Sequence, residues 1–245
     1  MAGLLTGAST LVRRNRVVSA SLMGTGVVVG LGTVLDFLTA GEREARTEAR
    51  ELWGLSGLAT EDGRPLPPPG GWALGPDAIR YVLQWMDLHA SQQIVELGPG
   101  TSSVLLTRAG SGVRSFYGVE HDRKYLTAVE ELLAYHQVSN YRLIHAPLER
   151  QSVDGNDVDW YAVAGLDELP RQVDVLIVDG PPNLGGVGSR APAWPLLRNR
   201  MKSGALVLVD DTSRADESEM VGRWLEGGGL RLLLRAPSFV ALQVL

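Results

Sequence analysis

Acidic residues at the ends of apolar runs are the side chains of this sequence best placed to do chemistry. Four runs of the strand type end in, or next to, a carboxylate. These acids are Glu96 in IVELGPGTSS (94–103), Glu120 in SFYGVEH (115–121), Asp179 in VDVLIVDG (173–180), and Asp210 with Asp211 in GALVLVDD (204–211). In open α/β sheets, ligands bind beyond the carboxyl ends of the parallel strands. The acids are therefore expected at the ligand-binding edge of such a sheet.

The elements that must position these acids alternate along the chain. Apolar spacing and breaker residues predict strands over 92–97, 115–121, 141–146, 173–180, 204–211, 230–236 and 239–245, and helices over 76–89, 102–109, 123–136, 192–201 and 214–226. Residues 148–170 are expected to be an irregular insertion. Only Pro237-Ser238 separates the last two strands, which is too short for a parallel crossover. We predict an α/β, doubly wound, Rossmann-like sheet of seven mostly parallel strands with an antiparallel C-terminal strand.

Composition excludes several classes of site. The 245 residues suffice for one α/β domain with an appendage, and the net charge of -5 argues against a general nucleic-acid-binding surface. The absence of cysteine excludes disulfides, thiolate catalysis and cysteine-based metal centres. The four histidines show no metal-binding spacing.

The amino-terminal part differs from the rest. Residues 17–35 form an uncharged run of about the length that spans a bilayer as a helix, preceded by three arginines at 13, 14 and 16. Gly26 and Gly30 have the GxxxG spacing that lets membrane helices approach closely, which predicts a membrane anchor and a homodimer. A helix buried in an oligomer interface and a cleaved signal peptide remain alternatives. Residues 1–40 are thus assigned to the anchor, 41–71 to a helix and Pro/Gly-rich linker, and 72–245 to the folded domain.

The glycine-rich turn after the first strand narrows the choice of ligand. An acid at the end of the second strand, here Glu120, can accept hydrogen bonds from both ribose hydroxyls of an adenosine. Dinucleotides and S-adenosylmethionine are both bound in this way. A carboxylate at Glu96 would repel a pyrophosphate but suits the sulfonium and ammonium groups of S-adenosylmethionine. The residues therefore favour the second cofactor.

Over about 72–245 the chain resembles the class I S-adenosylmethionine-dependent methyltransferases. VELGPGTSS is similar to their first motif, GVEHD to their acidic ribose loop and IHAPLE to their adenine-flanking loop. The resemblance implies a cofactor site in which Glu96, Gly98, Gly100 and Ser102 line the methionine side, Glu120 holds the ribose, His121, Ala146 and Leu148 flank the adenine, and Asp179 contacts cofactor or acceptor.

The acids at the ends of the fourth and fifth predicted strands, 173–180 and 204–211, predict a metal site. Asp179, Asp210 and Asp211 could converge, and their like charges would repel unless a cation or protons neutralised them. Oxygen ligands alone suit Mg²⁺, Ca²⁺ or Mn²⁺. The pattern resembles the metal-dependent O-methyltransferases of the catechol, caffeoyl-coenzyme A and macrolide-sugar types, which implies that the cation binds vicinal acceptor oxygens, with Asp179 and Asp211 as candidate catalytic residues.

One departure leaves an alternative to the metal site. Asp179 is followed by Gly180-Pro181-Pro182, which resembles a less characterised DGPP-motif branch of methyltransferases. In the alternative, Asp179 touches only cofactor or acceptor, and Asp210-Asp211 caps the following helix. The glycine-rich loop 183–190 is expected to close over the acceptor, with Arg190 reaching a polar or anionic group or lying exposed. Trp72 and Trp194 are candidate walls of the acceptor pocket or packing residues.

The sequence thus predicts an S-adenosylmethionine-dependent methyltransferase with a small-molecule, glycan or lipid-linked acceptor. We expect no nucleic-acid partner and a catalytic domain on the cytoplasmic side of the membrane, where the cofactor is made. The alternatives are a membrane-tethered module that binds S-adenosylmethionine without turnover, an aminopropyl transferase and, least favoured, an NAD-dependent oxidoreductase. The acceptor itself carries no recognisable motif.

Overall fold

The computed structural model of this chain describes residues 73–109, 114–153, 155–182 and 188–245. The predicted anchor over 17–35, the helix and linker over 41–71, and Trp72 lie outside the described residues. Within the described ranges, no helix is both long enough and apolar enough to cross a membrane.

Helices and strands alternate as the periodicity predicts. The helices are α1 (Pro76–Leu88), α2 (Thr101–Ala109), α3 (Arg123–Tyr135), α4 (Val163–Leu166), α5 (Ala193–Leu197) and α6 (Ala215–Glu226). The strands are β1 (Gln93–Leu97), β2 (Ser115–Glu120), β3 (Tyr141–His145), β4 (Leu148–Val153), β5 (Asn156–Tyr161), β6 (Val173–Val178), β7 (Met201–Asp210), β8 (Leu230–Arg235) and β9 (Phe239–Val244). The helix expected over 192–201 is shorter, because a 3-10 turn at Arg198–Arg200 leads directly into β7.

Seven of these strands form one sheet in the order β3-β2-β1-β6-β7-β9-β8. Neighbours from β3 to β7 pair in parallel, whereas β9 is antiparallel to both β7 and β8. The predicted sheet is confirmed, with the antiparallel strand inserted between β7 and β8. Strand order reverses beside β1, whose neighbours are β2 and β6, and this reversal opens a crevice at the carboxyl ends of the strands.

The core explains why the central strands are so apolar. Strands β1, β6 and β7 lie in the middle of the sheet, and the apolar side chains of β6 and of the second half of β7 are almost entirely buried. Strands covered on both faces by helices need no polar alternation. In α1 the spacing of Ile79, Val82 and Met86 places one apolar stripe against the sheet.

The prediction that residues 148–170 are irregular is wrong. Strands β4 and β5 pair as an antiparallel hairpin, and α4 follows. The charged residues of the hairpin conceal its pattern, although the Asp154-Gly155 dipeptide is typical of tight hairpin connections. Trp160 and Tyr161 at the end of β5 are fully buried in the main core, so the hairpin is anchored to the domain.

Candidate active site

A cavity of about 560 Å³ opens at the carboxyl ends of the parallel strands. It receives residues from every loop that follows β1, β2, β6 and β7. Its described lining consists of Ala73, Gly98, Gly100, Thr101, Ser102, Glu120, His121, Asp122, Tyr125, Asp179, Gly180, Pro182, Arg190, Asp210, Asp211 and Arg214. The topology therefore brings together most of the residues that the sequence singles out.

The turn between β1 and α2 must lack side chains because neighbouring groups press against it. Gly98 has φ of +86°, a conformation that glycine adopts without penalty, and a Cβ there would lie 2.9 Å from the carbonyl oxygen of Asp179. A Cβ on Gly100 would lie 2.9 Å from the Tyr125 hydroxyl. The turn thus packs tightly against the end of β6 and leaves the cavity open above it.

Glu96 lies under this turn rather than in the cavity. It is 2% exposed, and its Oε1 accepts a hydrogen bond from Ser102 Oγ at 2.5 Å. Its Oε2 accepts from Ser103 Oγ and from the Tyr141 hydroxyl, each at 2.6 Å. Burial raises the pKa of Glu96, although the three hydrogen bonds oppose that shift.

These contacts change the role expected for Glu96. Both of its oxygens already have partners, and it is not part of the described lining of the cavity, so it is not placed to meet a ligand cation directly. It instead ties the start of α2 to β1 and β3. Ser102 does line the cavity, and it connects Glu96 to that surface.

Glu120 ends β2 at the cavity and is held by the backbone of the two residues that follow it. The amide N–H groups of His121 and Asp122 both donate to Oε1 at 2.7 Å, and His121 Nδ1 lies 2.7 Å from the same oxygen. The hydrogen bond to Glu120 raises the pKa of His121. Among the described residues, Oε2 has no hydrogen-bond partner, so it remains available to a ligand. This is the placement that ribose binding would need, and that role stays a prediction.

Ala146 and Leu148, which the IHAPLE segment predicted beside the adenine, do not lie at the cavity as described. Ala146 is fully buried beneath α4, and a Cβ added to Gly165 of that helix would lie 2.8 Å from the Cβ of Ala146. Leu148 starts the β4–β5 hairpin and packs against the main core. Neither lines the cavity as described, so of the predicted adenine-flanking residues only His121 reaches it.

Three aspartates form an acidic cluster at the ends of β6 and β7. Each offers one carboxylate oxygen, and these oxygens lie within 4.8 Å of one another. Burial, reinforced by the charge of Asp210, raises the pKa of Asp179 well above its ordinary value. Burial also raises the pKa of Asp210 to about 6. Asp211 is the most exposed of the three and adopts a left-handed conformation with φ of +61°.

The cluster does not cap the next helix. Helix α6 begins at Ala215, and its N-cap residue is Arg214, which makes no side-chain capping bond. The capping role that the sequence left open for Asp210-Asp211 is therefore wrong. The convergence of the three acids, by contrast, is observed.

Arg190 is buried at this cluster, so the alternative that it lies exposed is wrong, while its contact with an acceptor stays a prediction. It is 4% exposed, and its guanidinium donates to Asp179 and Asp211. It lines the cavity, but the ends of β6 and β7 enclose it and leave it almost no exposed surface. Residues 183–187 of the predicted lid lie outside the described residues. Trp194 is 5% exposed within the main core and is a packing residue.

Several residues near the site carried no local signal in the sequence. Tyr141 reaches Glu96 from β3, forty-five positions along the chain. The Tyr161 hydroxyl is buried without a partner among the described residues, and a Cβ on Gly180 would overlap it. Burial and the charge of Glu120 raise the pKa of Tyr161 well above its ordinary value. Such placements depend on the packing of the hairpin and strands, which periodicity does not show.

Comparison with known proteins shows a shared fold. No family model and no curated protein matches the chain. The O-methyltransferase TomG of Streptomyces achromogenes, involved in tomaymycin synthesis and solved with S-adenosylmethionine, is 16% identical with a TM-score of 0.53, covering 80% of this chain and 98% of that chain. An O-methyltransferase from Bacillus cereus, solved with S-adenosylhomocysteine, is 12% identical with a TM-score of 0.52, covering 82% of this chain and 90% of that chain.

Proposed function

We propose that this protein is an S-adenosylmethionine-dependent methyltransferase that methylates a hydroxyl group of a small-molecule, glycan or lipid-linked acceptor. The observation that carries the proposal is the environment of Glu120, a cavity-lining residue whose Oε1 accepts from two backbone amides while Oε2 has no hydrogen-bond partner in the part of the chain that the structure describes. A carboxylate fixed in this way is ready to accept a hydrogen bond from a ribose hydroxyl. The shared fold with O-methyltransferases solved with this cofactor or its product supports the same function.

In this proposal the cofactor lies along the turn after β1. Gly98 and Gly100 would leave room for its methionine part against the backbone, and Ser102 would contribute a hydroxyl to the same wall. His121 would flank the adenine. A ribose hydroxyl would donate to the free oxygen of Glu120, which is a charge-assisted hydrogen bond of the stronger class.

The acidic cluster supports oxygen as the atom that receives the methyl group. The acceptor oxygen would attack the methyl carbon while the C–S bond breaks, and the hydroxyl proton would pass to a carboxylate. Asp210 lines the cavity, and its pKa of about 6 keeps it ionised at neutral pH yet basic enough to take a proton. Asp179 and Asp211, the catalytic candidates of the sequence, would instead hold the neighbouring arginine.

The three carboxylates are the right kind of ligand for the metal predicted from the sequence, but the position of Arg190 beside them does not suit it. Three carboxylate oxygens within 4.8 Å of one another suit a hard divalent cation. Arg190 Nη2, however, already bonds two of these three carboxylates. As the side chains stand, the cluster does not fit a metal, and we assign no step of the reaction to one.

Calorimetric titration of the full-length chain tests the cofactor. S-adenosylhomocysteine is expected to bind with a micromolar dissociation constant, whereas NADH is expected not to bind. Transfer of labelled methyl from S-adenosylmethionine to a panel of hydroxylated acceptors then tests turnover. Failure of the folded chain to bind S-adenosylhomocysteine would overturn the proposal, and binding without transfer to any acceptor would favour the non-catalytic module.

The surroundings of the domain are part of the same proposal. Because S-adenosylmethionine is made in the cytosol, the domain should face the cytoplasm, with residues 17–35 as its membrane anchor and a homodimer formed through their GxxxG spacing. These expectations concern residues outside the described ranges and stay predictions. Protection of the domain from protease in intact cells, with digestion after lysis, would agree with them.

A further inference from the structure

Arg190 joins the ends of the two strands that carry the acidic cluster. Its Nη1 donates to the carbonyl oxygen of Asp210 at 3.1 Å, and its Nη2 donates to the carbonyl oxygen of Asp179 at 3.1 Å. The guanidinium thus bridges the last residue of β7 and the residue after β6. Since its side chain is 5% exposed, this cation is a fixed part of the site.

The same guanidinium neutralises the carboxylates. Nη2 lies 3.3 Å from Asp179 Oδ1 and 2.9 Å from Asp211 Oδ2. A second cation, Arg214 Nη1, lies 2.9 Å from the same oxygen of Asp211. Two guanidinium groups therefore offset two of the three carboxylate charges, and they already bond one oxygen of Asp179 and one of Asp211.

A divalent ion at the cluster would compete with this arginine for Asp179 and Asp211 and would be repelled by its charge. Arginine stays protonated in proteins, so the guanidinium could not leave as a neutral group. Separating the buried guanidinium from its partners would leave its charge unpaired and two carbonyl oxygens without their donors, which is costly. Mg²⁺ would also have to give up hydration water that it releases reluctantly.

We propose that Arg190 is the built-in cation of this site and that the protein transfers methyl groups without a divalent metal. This inference rests on the proposed methyltransferase function and adds the class of acceptor. A metal would select acceptors with two neighbouring oxygens that can chelate it. With the charge supplied by Arg190, the acceptor needs only a single hydroxyl near Asp210.

Mn²⁺ binding, followed by electron paramagnetic resonance, tests the proposal without knowledge of the acceptor. The full-length chain is expected to show no Mn²⁺ site tighter than millimolar. Arg190→Gln removes the cation while keeping a polar group, and it should strengthen Mn²⁺ binding by about tenfold or more because three carboxylates are then left with one arginine. Adding Asp211→Asn to Arg190→Gln should abolish the gain.

Arg200→Gln is the matched control. Arg200 also combines a carbonyl contact, to Leu169 at 2.9 Å, with a carboxylate contact, to Asp167 at 3.2 Å, but it does not line the cavity. This variant should bind Mn²⁺ as the unmodified chain does. A gain in Arg200→Gln equal to that in Arg190→Gln would count against a specific role for Arg190.

The unmodified chain decides the question even if Arg190→Gln does not fold. One Mn²⁺ bound at micromolar concentration and lost in Asp211→Asn would overturn the proposal, whereas absence of such a site supports it. Titration of the same samples with S-adenosylhomocysteine reports separately on the proposed function. Loss of cofactor binding throughout would refute the methyltransferase and leave the Mn²⁺ result to stand by itself.

Discussion

Replacement of Glu120 by glutamine is the sharpest test of the cofactor site. The amide N–H groups of His121 and Asp122 need an acceptor at the position of Oε1, so the glutamine oxygen should take that position. The glutamine NH₂ group then replaces the free Oε2. Because a neutral donor stands where a charged acceptor was, the ribose hydroxyl loses its charge-assisted hydrogen bond but retains a weaker contact.

The size of the effect follows from that exchange. Hydrogen bonds to charged groups contribute about 1.5–3 kcal/mol, against about 0.5–1.5 kcal/mol for neutral pairs. One such exchange should cost about 1–2 kcal/mol, which corresponds to an increase of roughly 5- to 30-fold in the dissociation constant. Since Oε1 is already occupied, a loss larger than this is not expected.

Calorimetry with S-adenosylhomocysteine measures the change, and Glu130→Gln is the matched control. Glu130 is an exposed residue of α3, the helix that follows the same strand end. The Glu130→Gln variant should bind S-adenosylhomocysteine as the unmodified chain does. The thermal midpoints of both variants should stay close to that of the unmodified chain, which would exclude unfolding as the cause of weaker binding.

The histidine beside Glu120 offers an independent readout. The hydrogen bond to Glu120 raises the pKa of His121, so Glu120→Gln should lower that pKa in an NMR titration without ligand. Unchanged affinity in Glu120→Gln would refute the reasoning about the ribose. An unchanged His121 pKa would show that the contact seen between the two side chains does not exist in solution.

Three further predictions concern stability and can be followed by urea unfolding. Gly155→Ala, at φ of +79° and with nothing within 4 Å of the new Cβ, should lower the free energy of unfolding by about 1–2 kcal/mol. Gly98→Ala should lower it by more, because φ is +86° and a carbonyl oxygen lies 2.9 Å from the new Cβ. Equal losses in the two variants would contradict the close packing of the turn. Tyr141→Phe removes one of three donors to the buried Glu96 and should cost about 1–3 kcal/mol; no loss would show that the hydroxyl makes no contribution. Asp210 has a folded pKa of about 6 against 3.8, so the folded state holds its proton more tightly, and its contribution to stability falls as pH rises from about 4 to about 6. The stability of Asp210→Asn relative to the unmodified chain should therefore rise across that interval. A difference in unfolding free energy that does not change with pH would refute the raised pKa.

Local pattern was enough to predict the sheet. The apolar runs that become β1, β6 and β7 are bounded by glycine and acidic residues, and the helices between them keep a helical spacing of apolar residues. The apolar runs and the helical spacing are both properties of neighbouring positions, so they can be recognised without knowledge of the tertiary structure. The short Pro237-Ser238 link likewise determined that the last two strands are antiparallel, because no crossover fits in two residues.

The strand ends also located the site from sequence alone. Parallel topology brings the carboxyl ends of strands to one edge, so Glu120, Asp179 and Asp210 were expected there, and all three line the cavity. The hairpin at 148–161 escaped prediction because its charged residues alternate irregularly. Its anchoring residues, Trp160 and Tyr161, become meaningful only when packed against the sheet.

Only the tertiary structure decided what the individual carboxylates do. Glu96 is a buried support because Tyr141, on a strand two places away in the sheet, reaches it with its hydroxyl. The acidic cluster holds a guanidinium because the segment before α5 returns Arg190 to the ends of β6 and β7. An acid at a strand end is visible in the sequence, but its charge partner comes from distant positions. The fold chooses that partner through burial and distance, which local spacing does not encode.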